Sequence, residues 1–169
     1  METRQLSARM TAAWPWISTV ARLGLAAVFL IAGGLKVTDL AASGRAVNAY
    51  RLFSYDTAKV IGAVQPFLEI ALGLLLLIGL AVRLSAAIAA LLLVIFIAGI
   101  VSAWARGLQI DCGCFGDGGQ VAPADTAYPT EVLRDAVLLL IALALAWRPD
   151  SRLALGRRLP DVKEFSGAH

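Results

Sequence analysis

Apolar and polar stretches alternate along this chain on the length scale of a bilayer. A first apolar run extends from Trp16 to Leu35, close to the roughly 20 residues a helix needs to cross the hydrocarbon core. Trp14 and Trp16 suit the membrane–water interface at its start. The competing reading is a cleaved signal peptide, with Ala32 and Gly34 as small residues before a cut. Arg22 interrupts the run and its length is excessive for a signal, so a retained spanning helix is expected. The region from Val60 to Ala105 is far too long for one crossing. Arg83 divides it, which predicts two antiparallel helices and a tight turn near Val82-Arg83-Leu84. A last run, Glu131 to Trp147, has Thr130 as its expected N-cap and Arg148-Pro149 as its stop. The pattern therefore predicts an all-α, integral membrane four-helix bundle in one domain. Its spans fall at about 16–35, 60–82, 84–105 and 131–147, with a short segment 1–15 before them and a basic tail 148–169 after.

Two polar intervals separate the runs. Between Lys36 and Lys59, Leu40, Val47, Tyr50 and Phe53 recur at near-helical spacing, so a short amphipathic surface helix is expected, capped by Asp39. It serves either as a connector or as a lid. The second interval, from Arg106 to Pro129, is a loop rich in Gly, Asp and Pro, and it holds Asp111-Cys112-Gly113-Cys114-Phe115-Gly116. The first half of the long apolar region contains Pro66 and Glu69. Gly73, Gly79 and many alanines permit close helix approach.

Composition narrows the class. The chain of 169 residues is 59% hydrophobic and 16% charged, with a mean hydropathy of +0.76, too little polar surface for a soluble domain to cover its core. The net charge of +3 does not imply nucleic acid, because the basic residues form no stripe. Arg148, Arg152, Arg157, Arg158 and Lys163 cluster after the last run, as a cytoplasmic anchor does. With four spans, Arg4, Arg9, Arg83 and those five lie on one side, and Lys36, Arg45, Arg51, Lys59 and Arg106 on the other. Eight against five predicts that both termini are cytoplasmic and that the cysteine loop is extracytoplasmic, where a disulfide can persist.

Cys112 and Cys114 are the chain's two cysteines. One residue apart, they can close only a small ring, for which Gly113 leaves the backbone free. So short a loop constrains the unfolded chain little, which argues against a staple, and a strained exposed bridge is a labile one. Zinc wants four Cys or His ligands, and the sole histidine, His169, lies in the predicted cytoplasmic tail. Asp111 and Asp117 could complete a site only in an unusual geometry, so no metal is expected. The missing histidine also excludes a Cys–His hydrolytic pair. What remains is thiol–disulfide exchange, with two inert thiols in a turn as the bland alternative. Exchange needs one sulfur as thiolate, which a nearby cation favours. Arg106 is the nearest in sequence, and Asp111 opposes it or helps to move a proton. Phe115 and Gly116 are expected to shape the turn. Which sulfur attacks stays open.

Glu69 is the other candidate, since an ionisable group inside a span is costly and by default functional. If its helix starts at Pro66 it lies near the outer interface. If the start is near Val60 it is about 13 Å in at ~1.5 Å per residue. Lys36, Arg106 and Arg134 are its possible partners, and Arg134-Asp135 can also pair with neighbours. Arg22 is expected to snorkel toward the cytoplasmic interface. Either these charges fix helix packing as a buried ion-pair network, or Glu69 and a basic partner border a quinone or proton site beneath the cysteine loop.

Taken together, Arg22-Leu23-Gly24, Phe29 to Lys36, Pro66 to Gly73, Arg106-Gly107, the Cys-Gly-Cys-Phe-Gly run and Arg134-Asp135 resemble the MauE family of methylamine-utilisation membrane proteins, within the DoxX-like group. The resemblance extends over about Arg22 to Trp147, and its most specific element is the cysteine motif. It implies a four-helix membrane protein of extracytoplasmic redox chemistry that supports maturation of a disulfide-rich partner, as for the small subunit of methylamine dehydrogenase. The Cys-x-x-Cys of quinone-linked disulfide-forming membrane proteins is absent, and so is a second cysteine pair. A thioredoxin-like extracytoplasmic thiol partner is therefore implied, with a membrane quinone as candidate acceptor. Cys112 and Cys114 are the expected redox pair, supported by Glu69, Arg106, Lys36, Arg134 and Asp111. The alternative is a non-enzymatic scaffold or accessory subunit of a redox complex, with the cysteines fixing its outer loop.

Overall fold

The computed structural model describes residues 2–114 and 118–149, with side chains from Trp14 onward. Phe115, Gly116, Asp117, the basic tail from Asp150 and His169 lie outside the described residues. The helices are α1 (Glu2–Val37), α2 (Leu40–Ala49), α3 (Tyr55–Ile78), α4 (Val82–Ala105) and α5 (Tyr128–Trp147). Between α4 and α5, β1 (Ile110–Asp111) and β2 (Gly119–Gln120) form an antiparallel pair, with Ile110 opposite Gln120 and Asp111 opposite Gly119. The protein is otherwise all-α. Among the described residues, three helical segments are long and apolar enough to cross a membrane: Trp14–Val37, Tyr55–Ile78 and Val82–Ala105. The fourth, α5, carries Glu131, Arg134 and Asp135 in its first two turns.

Several expected boundaries move, each for a local reason. The helix of the second apolar run starts at Tyr55, capped by the Ser54 hydroxyl, which accepts from Thr57 N; Pro66 is interior. The turn between α3 and α4 comes at Gly79–Ala81 rather than around Arg83, which lies within α4. Gly79 adopts φ 71°, and Leu80 N donates to Leu75 O at 3.0 Å, the glycine-ended helix stop. Thr130 does not cap α5. Pro129 instead sits in its first turn, where a missing N–H costs nothing, and Thr130 Oγ1 donates to Ala127 O.

Asp39 does cap α2, accepting from Ala42 N at 2.8 Å. The buried face of α2 is not the expected apolar stripe, however. Ser43, Gly44, Ala46 and Ala49 are buried, whereas Phe53 is exposed beyond the helix end. Small residues let α2 lie directly on α3: a Cβ on Gly62 would sit 2.5 Å from Gly44 N.

Helix α1 runs antiparallel along α3 with equally little clearance. A Cβ on Gly33 would lie 2.7 Å from Pro66 O, and one on Gly73 would lie 2.7 Å from Leu30 Cγ. Glu69 is therefore level with Gly33, one turn below the end of α1. The first two turns of α3 project beyond α1 to pack against α2. In the centre, Leu25, Phe29, Leu72, Leu76, Ala89, Leu93 and Leu145 from the four long helices form the main core. A smaller one, Ala49, Ile100, Ala103, Ile110 and Tyr128, supports the cysteine loop.

Candidate functional site

The cysteine loop is shaped by glycine and anchored by tyrosine. Gly113 takes φ 67°, and Gly118 approaches it so closely that a Cβ on Gly118 would lie 2.2 Å from Gly113 Cα, with Ala46 of α2 on the same contact. The Asp111 carboxylate accepts from Gly113 N at 2.8 Å. Tyr50, at the end of α2, donates its hydroxyl to Cys112 O at 3.1 Å. Burial, added to by the anionic groups around it, holds that phenol above its usual range and keeps it a donor. Tyr128 binds the entry to β1, accepting from Ile110 N at 3.0 Å and donating to Leu108 O, and its ring stacks on Trp104.

Both cysteines are free thiols, half-buried. Their sulfurs have different surroundings. Cys112 Sγ accepts from Cys114 N at 3.3 Å and from the Arg134 guanidinium at 3.7 Å. Arg134, about one-third exposed, is itself steered by Asp135 Oδ1 at 2.9 Å. The hydrogen bond it shares with Cys112 pushes the Cys114 thiol well above the ordinary thiol range, with burial and the charges of Cys112 and Asp135 acting in the same direction. Cys114 also lines a cavity of about 20 Å³, walled by apolar groups such as Phe29 and Leu93 but reached by Glu69 and Asp135.

Glu69, 1% exposed, accepts from Lys36 Nζ at 2.6 Å and from Gln65 Nε2 at 3.0 Å, both on Oε1. Lys36 Nζ also lies 5.6 Å from the centroid of Phe96, which lines the same cavity. Glu69 Oε2, Asp135 Oδ2 and Glu131 Oε2 are buried with no hydrogen-bond partner among the described residues.

Of the residues expected at a site, the structure gathers Cys112, Cys114, Asp111 and Arg134 at the loop, and Glu69 with Lys36 beside the cavity beneath it. Arg106 stands apart: its guanidinium holds Tyr50 O at 2.6 Å and Ser102 O at 3.1 Å, so the cation on the thiols is Arg134 instead. Arg22 does not snorkel. It is 1% exposed and donates to the carbonyls of Leu76 and Leu77, the open end of α3. Tyr50, Tyr128, Glu131 and Asp135 were not expected to shape the site. Glu131, Arg134 and Asp135 stand at i, i+3 and i+4, which puts them on one helix face and was the available signal.

Glu131 also bears on metal binding. Ligating atoms of Asp111, Cys112 and Glu131 all lie within 4.8 Å of one another. A cation there would meet the Arg134 guanidinium on the same sulfur, and Asp111 Oδ1 already accepts from Gly113 N.

A family model described as methylamine utilisation protein MauE matches residues 14–148. The chain is 33% identical over 133 residues to a methylamine utilization protein MauE of Paracoccus denitrificans, a match spanning 78% of this chain and 69% of that protein. No solved structure matches.

Proposed function

The chain belongs to the MauE family, and from that premise we propose that it carries out extracytoplasmic thiol–disulfide exchange, with Cys112 and Cys114 as the redox pair. One observation carries the reading: Cys112 Sγ receives both an amide donor and a guanidinium. A neutral thiol has no need of a cation, whereas a thiolate is stabilised by one.

In this reading a partner thiolate attacks one sulfur of the Cys112–Cys114 bridge and the other sulfur leaves. The partner's second thiolate then attacks the mixed disulfide. The partner gains a disulfide, and two electrons rest on the pair. A membrane quinone, as the candidate acceptor, would supply the two-electron, two-proton oxidation that restores the Cys112–Cys114 bridge. The cavity has room for a water but not for a quinone ring. A thioredoxin-like protein is the partner class, and the client that the resemblance to the MauE family implies is a disulfide-containing subunit of the methylamine dehydrogenase type.

The reading includes a fourth crossing by α5. Its outward stripe, Leu133, Val137, Leu140, Leu143 and Trp147, is exposed and apolar, while Glu131 and Asp135 turn inward. Four crossings, with the basic tail inside, put both termini in the cytoplasm and the loop outside. A second reading, a scaffold with a fixed loop, draws support from the Tyr50, Tyr128 and Asp111 anchors. Alkylation of the purified protein across a glutathione redox series separates them. Exchange predicts that both thiols become protected and released together as the buffer changes. A pair locked in one state throughout supports the scaffold.

A further inference from the structure

The two sulfurs face different surroundings. Cys112 Sγ lies against the guanidinium of Arg134, whose side chain is about one-third exposed. Cys114 lines the cavity that Glu69 and Asp135 also line. Each of those carboxylates is at most 2% exposed, and each has one oxygen buried with no partner among the described residues. Leaving such an oxygen dry is costly. A cavity of about 20 Å³ holds one water, and a water needs two to four polar partners. Among the residues lining it, Glu69 Oε2, Asp135 Oδ2 and Cys114 Sγ are the groups that could serve one.

Resting on the exchange reading above, we propose that Cys112 is the sulfur that bonds to the partner, and that Cys114 trades its proton with Asp135 and Glu69 through a water in this cavity. When the reduced pair meets a disulfide, Cys112 thiolate attacks it, a mixed disulfide forms and one partner thiolate leaves. Cys114 then gives its proton through the water to the Asp135 carboxylate. The resulting thiolate attacks Cys112 Sγ, the Cys112–Cys114 bond forms and the second partner thiolate leaves. Two electrons pass to the partner. Oxidation of a partner dithiol is the reverse sequence, in which the leaving Cys114 thiolate takes the proton back.

A relay is needed because the Cys114 thiol is held above its ordinary range and faces few other bases. The groups around it are Cys112 and Asp111 of the loop, Tyr50 of α2, Glu69 of α3 with Lys36 of α1 upon it, and Glu131, Arg134 and Asp135 of α5. Lys36 and Arg134 are cations and Tyr50 is held as a donor. Asp111 Oδ1 accepts from Gly113 N, and Glu131, whose Oε1 accepts from Cys112 N, does not line the cavity.

The test uses the full chain in lipid nanodiscs, reduced, with glutathione disulfide as the probe, and follows glutathione adducts by mass. Cys114→Ser, which retains Cys112, is expected to take up glutathione at least about tenfold faster than Cys112→Ser. The opposite order overturns the sulfur assignment. In Asp135→Asn, which keeps an acceptor for Arg134, loss of glutathione from the mixed disulfide should slow about tenfold near pH 6.5 and recover by about pH 9, where hydroxide replaces the base. Ala32→Val, which fills the cavity without changing charge, should give the same pH-dependent deficit even if the Asn variant folds poorly. A deficit equal at all pH values, or none, overturns the proton route. If the wild-type pair never closes at any pH, the exchange reading itself falls, whichever route protons take.

Discussion

Buried charge occurs at both ends of the α1–α3 pair, with opposite accounts. At one end Arg22 places its guanidinium on the carbonyls of Leu76 and Leu77, where α3 runs out of its own donors. Among the described residues, the buried side-chain polar atoms left without a hydrogen-bond partner toward that end are neutral: Trp14 Nε1 and the hydroxyls of Ser18 and Ser85. At the other end Lys36 and Glu69 are also paired, yet Glu69 and Asp135 each leave one carboxylate oxygen open beside a cavity that reaches Cys114. A charge that serves only packing has its valences filled. The incompletely satisfied ones stand next to a thiol, where the proposed proton route puts its water.

The largest expected effect lies at the pair. Lys36→Met strands Glu69 as a buried unpaired carboxylate and should cost about 3–5 kcal/mol, read as a lower midpoint of thermal unfolding in detergent. Adding Glu69→Leu should recover most of that loss, because an apolar pair of similar volume replaces both charges. Cysteine cycling should not recover with it. A double variant with both restored would make this end another packing device.

Arg22→Leu should cost about 2–4 kcal/mol, two charged hydrogen bonds lost to backbone. Here the bonds lost are to the carbonyls of Leu76 and Leu77, which a second side-chain substitution does not replace. Thiol reactivity per folded molecule should be unchanged; a change would link the two ends and break the contrast. Smaller again, Tyr50→Phe removes the hydroxyl on Cys112 O and should cost about 1 kcal/mol. Its mark should be faster hydrogen exchange in the loop, with the α1–α3 contact untouched.

What the sequence made legible follows what is local. Apolar runs locate the long helices, though not their ends, and Asp39 marks the start of α2. Glu69 stands out because charge in a span is rare. The partner choices depend on packing. Lys36 is Glu69's partner because Gly33 seats α1 against Pro66, level with Glu69, and nothing in the spacing of the three basic candidates selects it. Arg106 precedes the cysteines closely, but α2 brings the Tyr50 carbonyl to it, while the first turns of α5 deliver Arg134 from 22 residues beyond Cys112. Arg22 reads as a snorkelling residue until α3 is known to end beside it. Gly79 looked like a packing glycine and is a helix stop, a signal that was present in its position after an apolar run.

The central claim is that the Cys112–Cys114 pair accepts electrons from a partner's dithiol. It is tested most directly by mixing the oxidised full chain in nanodiscs with a reduced thioredoxin-like protein and counting thiols on both by mass. The account predicts that one partner dithiol is oxidised for each Cys112–Cys114 bridge reduced, with no transfer in Cys112→Ser. A bridge that glutathione can open but that leaves the partner fully reduced, or transfer that persists in Cys112→Ser, contradicts it.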